Sequence, residues 1–173
     1  MTVGLKRRDR PPAELVARLG RDERIVSFAD TADGRTVAAT QRGLWWPDGD
    51  GHRLIGWQHV DKAVWRDGAL SVVEADVHDD LLLVDRAEIR VDLSVPRDLP
   101  PTLRKRVDAN VVHTELLPVP GGAARIVGRR VPGRDGVVWW ARLEAGVADS
   151  PDVRSAVSER IGELSGARST DQA

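Results

Sequence analysis

The stretch "DVHDD" sets Asp76, His78 and Asp80 two residues apart, so on a strand three potential metal ligands would share one side. The same stretch falls where a chain reversal is due, and it is read as a polar inter-strand loop. His59 and Asp61 repeat the alternation as a base with an orienting acid, but nothing beside them could act as nucleophile: the chain has no cysteine and no serine elbow. The glycine-rich stretches "PDGDGH" and "PVPGGAAR" lack the strand, turn and helix order with a lysine that cradles phosphate, and read as turns. No catalytic, cofactor-binding or metal-ligating residue is therefore assigned, and the chain is expected not to be an enzyme.

Side chains suited to binding are easier to find. In "VVWWARLEA" strand alternation puts Val137, Trp139, Ala141 and Leu143 on one face and Val138, Trp140, Arg142 and Glu144 on the other. Trp139 is expected to face a core and Trp140 the wetter side, with Arg125 or Arg129 of the preceding strand near it. Arg125, Arg129, Arg130, Arg134 and Trp140 form the candidate interaction surface, in the style of an interface hot spot or of single-strand nucleic-acid binding. Lys6, Arg7, Arg8 and Arg10 make a basic tail, and Arg104, Lys105 and Arg106 flank an apolar helical stripe. Each arginine carries less weight than usual, because Arg outnumbers Lys 23 to 3, a skew typical of GC-rich bacterial genomes.

Two further rings stand eight residues apart in "IGWQHVDKAVWRDGALSVVEAD". Neither face of the run from Val60 is cleanly apolar, which suits a bulged strand at a barrel bend. Trp57 and Trp65 are both read as core or mouth-plugging rings rather than ligand walls, so Trp65→Ala is expected to cost a few kcal/mol.

The elements that must position these residues follow from periodicity. With 173 residues and a net charge of -1, the chain can bury a core without staples and is not a generic polyanion binder. It has neither a secretory h-region nor a run of roughly 18–20 apolar residues, which points to a cytoplasmic location. "AELVARLG" reads as a short helix with Leu15, Val16 and Leu19 on its stripe. From Arg24 to Leu93 the period is two, broken at Asp33-Gly34, Asp48-Gly49-Asp50-Gly51 and Asp67-Gly68, which gives about seven short antiparallel strands. An amphipathic helix follows, with Asp98 as N-cap and Leu99, Leu103, Val107, Asn110 and Val111 on one face. Beyond it come two strands and a helix capped by Ser150, with Pro151 in its first turn and Val153, Val157, Ile161 and Leu164 on its stripe.

"TVAATQRGLWW", then Trp57 with Val60, Ala63 and Trp65, then the helix opening at "LPPTLRKRV", resemble the bacterial pleckstrin-homology-like domains over roughly residues 22–112. The whole chain resembles a family of short actinobacterial proteins with a "GG..R(I/V)V.RR.PG.(D/E)G" hairpin. The resemblance implies a fold and no activity. Lipid binding through the first hairpin is not expected, since Asp30 and Asp33 sit at its tip. The expected class is α+β, mainly β: a partly open antiparallel PH-like barrel capped by a helix, then a C-terminal β-hairpin plus helix. The expected divisions are residues 1–21, a basic tail and short helix; 22–112, the barrel; and 113–173, a strand-strand-helix extension docked on it, ending in a polar tail. The expected role is non-catalytic interaction with a protein partner or a second copy. The alternatives are a nucleic-acid-associated protein using the Arg/Trp hairpin, and a small-ligand-binding protein or enzyme using His59, His78 or the acidic loop.

Overall fold

A computed structural model describes residues 10–170, with side chains through residue 166. Lys6, Arg7 and Arg8, the side chains from residue 167 on and the last three residues of the polar C-terminal tail lie outside the described residues. The protein is mainly β, 48% strand and 22% helix. In chain order the elements are α1 (Ala13–Val16), β1 (Ile25–Thr31), β2 (Thr36–Thr40), β3 (Gly43–Asp48), β4 (Gly51–Gly56), β5 (Val60–Arg66), β6 (Ala69–His78), β7 (Leu82–Asp85), β8 (Ile89–Val95), α2 (Leu99–Asn110), β9 (Val111–Val119), β10 (Gly122–Arg129), β11 (Val138–Leu143) and α3 (Pro151–Thr170). The chain divides into two compact units. One holds the residues up to Glu74 with Ala87–Ala109; the other holds Ala75–Arg86 and the residues from Asn110 on. No helix among the described residues is long and apolar enough to cross a membrane.

In the first unit the strands pair in the order β4-β3-β2-β1-β8-β6, with β5 on β6. β4 and β5 end this order without pairing with each other, so the sheet stays open. The turns are short because the sequence supplies residues that tolerate a left-handed backbone: Gly34 has φ +83°, and Asp67 and Gly68 have φ +51° and +78°. The two-residue Asp67-Gly68 link with both residues left-handed is a type I′ hairpin turn.

Alternation buries one set of side chains between the strands and α2: Val37, Ala39, Leu44, Trp46, Ile55, Trp57, Val60, Leu70, Val72, Leu99 and Leu103 form one core cluster. The opposite face of β1–β3 is also covered, because Ala38 and Trp45 pack with Leu15, Leu19, Ile25 and Phe28. All of β2 is therefore buried, which explains why "TVAAT" lacks a polar alternate. Val16, expected on the α1 stripe, instead points outward, since α1 is a single turn that buries only Leu15. Asp98 does not cap α2 with its side chain: its Oδ1 accepts the Ser27 Oγ–H at 2.6 Å, tying the start of the helix to β1. Arg97 beside it, at φ +48°, lays its guanidinium over the Phe28 ring at 4.2 Å and pairs with Asp30 at 2.8 Å.

The second unit resolves a difficulty in the expected strand-strand-helix module, which has too little apolar area for its own core. It takes in residues 75–86 and adds β9, giving the order β7-β11-β10-β9 with the last residues of β6 on β7. β9 and β10 form a hairpin in which Val119 pairs with Gly122. Against one face of this sheet α3 packs Val153 and Val157, flanked by Ile161 and Leu164, onto Leu82, Ala124, Ile126, Trp139 and Ala141. Ser150 Oγ accepts the Val153 N–H at 3.4 Å, the N-cap the sequence implied. Gly128 lies opposite Trp139 in the ladder, and a Cβ there would meet the ring at 3.0–3.1 Å; the bare backbone gives the indole its seat.

Candidate functional site

The tryptophans eight residues apart have opposite fates. Trp57 opens a 3₁₀ turn over Trp57–His59, is 3% exposed, and donates its indole N–H to the Thr40 carbonyl at 3.0 Å. Trp65 is 39% exposed, and its neighbour Val64 is 36% exposed. The expectation that Trp65 plugs a core is corrected: among the described residues β5 pairs only with β6, so no second strand among them covers a ring near the end of β5. His59 lies in the 3₁₀ turn and the β5–β6 register shifts between Val60 and Lys62, so His59 and Asp61 are not the simple strand pair that spacing implied.

The interior of the first unit holds a polar device that no spacing announced. Glu23, 7% exposed, accepts the Thr40 hydroxyl at 2.7 Å and the Trp45 indole N–H at 2.9 Å on Oε1, and the Gly20 N–H at 3.0 Å on Oε2. Burial pushes its carboxyl up, but these donors and the Arg42 charge outweigh burial and leave it below the usual glutamate value. The three donors come from scattered positions, so the only cue in the sequence was an acid beside a strand. The arrangement fixes the entry to β1 and presents nothing to a substrate.

The Arg/Trp surface of the second unit is partly assembled. Trp140 pairs with Val127, which makes Arg125 and Arg129 its diagonal neighbours on the face opposite α3. The sharing of one face is as expected, but the availability of the groups is not. Arg129 is 4% exposed, Arg125 pairs with Glu144 at 2.9 Å, and Trp140 packs against Ala75, Leu83, Val127 and Val77. Arg130 and Arg134 are exposed, with Arg134 in the loop between β10 and β11. The opposite face carries a cluster that sequence reading missed. The His113 ring meets Trp139 edge-on at 5.2 Å and contacts Glu115 at 3.0 Å, and Glu115 is held by Arg160 at 2.6 Å. The Arg160 guanidinium, with help from His113, lowers the Glu115 carboxyl. This ties α3 to β9.

Asp76 and His78 belong to β6 rather than to a loop, which corrects that part of the reading; the reversal falls on Asp79 and Asp80, both left-handed at φ +51° and +54°. Asp76 pairs with Arg86 at 2.8 Å. Among the described residues no group of three or more His, Asp or Glu is placed to hold a metal.

Two concavities lie within single units. One of about 100 Å³ is lined by Pro12, Glu14, Arg18, Arg35, Thr36 and His52 among others, small beside the several hundred Å³ of ordinary ligand sites. The other, about 390 Å³, opens beside β7 and β11, whose parallel pairing is confined to Ala141 and Leu82; its charged wall is the Arg142–Asp85 pair at 2.5 Å.

The ends of the strand orders are more informative. Among the described residues β4, β5 and β9 each pair on one side only, and each displays a large apolar side chain: Leu54 at 40% exposure, Val64 and Trp65, and Leu116 at 54%. No family model, curated protein or solved structure matches this chain.

Proposed function

We propose that this chain is a non-catalytic protein-interaction module whose first unit is pleckstrin-homology-like, acting in the cytoplasm. The fold reading is supported by the order β4-β3-β2-β1-β8-β6-β5 followed by one helix that inserts Leu99 and Leu103 into the core. The observation that carries the function is the set of open strand edges, each with an exposed apolar side chain. Such edges template pairing with another chain. Nucleic-acid binding through the Arg/Trp hairpin has less support, because Arg129 is buried and Arg125 is already paired.

The test is affinity capture from the native host with wild type and with Leu54→Lys, Val64→Lys and Leu116→Lys, each first shown to keep its circular dichroism spectrum. A protein retained by wild type and lost from at least one variant is expected. Equal capture by all four, or a wild type that sediments as a monomer and retains nothing, would remove the reading. A single-stranded oligonucleotide in the same series should show no salt-dependent binding.

A further inference from the structure

We propose that the outer edge of β5 accepts an extended segment of a partner protein as an added strand, and that this segment reads acid, apolar, β-branched, apolar, acid. The inference rests on the interaction reading above and names its site and the chemistry of its partner.

The turn decides which backbone groups are available. In a two-residue type I′ hairpin the closing residues, here Arg66 and Ala69, exchange both of their hydrogen bonds. Alternation then turns the N–H and C=O groups of Arg66, Val64 and Lys62 toward β6 and those of Trp65 and Ala63 outward. No strand among the described residues pairs with that outer side. A second strand would satisfy these groups and cover the ring, which is the mode of strand addition used to bind extended peptides.

The side chains decide what the strand should carry. Ala63 and Trp65 lie across from Val72 and Leu70, on the face that leads into the core, while Lys62, Val64 and Arg66 lie across from Val73, Ser71 and Ala69 on the other face. All of Lys62, Val64, Trp65 and Arg66 are exposed. A partner strand would therefore set apolar residues against Trp65 and Ala63, a β-branched one against Val64, and acids against Lys62 and Arg66 at either end. A second copy fits worse. Two-fold pairing of β5 with itself about Ala63 sets Lys62 against Val64 and Arg66 against Val60, and pairing about Val64 sets Lys62 against Arg66, so neither cation meets an acid.

The probe is a fluorescein-labelled Gly-Glu-Leu-Val-Leu-Glu-Gly peptide, compared by anisotropy on the full chain with its Lys-for-Glu counterpart. Wild type should prefer the acidic peptide by about tenfold, the effect of two modest ion pairs, and the Lys62→Glu/Arg66→Glu double variant should reverse the preference. Saturating peptide should slow amide exchange at Ala63 and Trp65, while Lys62, Val64 and Arg66, already bonded to β6, stay as they were. Ala63→Pro, which removes an outward N–H and leaves the β6 ladder intact, should abolish binding with the spectrum unchanged. Equal affinity for both peptides, a preference unchanged in the double variant, unaltered exchange at Ala63 and Trp65, or self-association through this edge without peptide binding would each overturn the proposal. If the peptide fails while a native partner is still lost on mutating Leu54 or Leu116, only the β5 site falls; if every edge is silent, the interaction reading falls with it.

Discussion

Trp57 and Trp65 are the same residue type, eight positions apart and separated by only a 3₁₀ turn and most of one strand, yet one is enclosed and the other half open. The difference lies in their neighbours. Trp57 sits where β2, β3 and β4 converge and its indole N–H finds a carbonyl, as a buried indole requires. Trp65 sits on a strand with one partner. For these two rings enclosure follows from position in the pairing order rather than from hydrophobicity.

The comparison is tested first at its enclosed end. Trp57→Ala should cost about 3–5 kcal/mol, the range for deleting a large buried aromatic, and should also orphan the Thr40 carbonyl. Equilibrium urea unfolding measures it. A loss close to that of Trp65→Ala would dissolve the contrast between the two rings.

Glu23 sharpens the same end. Glu23→Gln keeps the shape but places an amide N–H₂ against either the Gly20 N–H or the Thr40 and Trp45 donors, and removes the charge. The cost should be about 2 kcal/mol, within the range for hydrogen bonds to an ionised group. The pH dependence has a definite sign. A carboxyl held below its usual 4.5 in the folded state stabilises the fold above that pH, and the contribution disappears as pH falls from 4.5 through the lowered value. Wild type and Glu23→Gln should therefore differ most near neutrality and converge in acid. A gap that does not narrow would mean that the cost comes from the amide N–H₂ facing the Gly20, Thr40 or Trp45 donors and not from the lost charge.

What was legible in the sequence divides along the same line. The alternating strands, the turns at Asp33-Gly34 and Asp67-Gly68, the stripe Val153, Val157, Ile161 and Leu164, and the opposed faces of Trp139 and Trp140 are all local patterns, and local periodicity carries them. Three features were not local. Residues 75–86 cluster with the C-terminal unit because β7 meets β11, a pairing between positions almost sixty apart at Leu82 and Ala141. The Glu23 network joins positions 20, 23, 40 and 45 across a hairpin. The exposure of Trp65 depends on the absence of a strand, and no residue spells out an absence. For the candidate surface the sequence brought Arg125 or Arg129 near Trp140, but neither the register that puts both on its face nor their burial was legible, since the one is set by the pairing of β10 with β11 and the other by what lies over them.

The smallest effect belongs to the open end. Trp65→Ala removes a ring that lies across from Leu70, but leaves no closed cavity, because solvent already reaches 39% of the residue. A cost of about 1–2 kcal/mol follows, ordinary for a partly exposed position and well below that for Trp57. The fluorescence of the two rings gives an independent check: Trp57→Phe should leave the Trp65 contribution open to acrylamide quenching, and Trp65→Phe should remove a quenchable fraction from the spectrum. A Trp65→Ala cost as large as that of Trp57→Ala, with no quenchable signal assigned to Trp65, would mean that the edge is covered in solution. β5 would then be an interior strand of an assembly rather than a free edge, and sedimentation of wild type against the Lys62→Glu/Arg66→Glu variant would show whether the covering chain is a second copy.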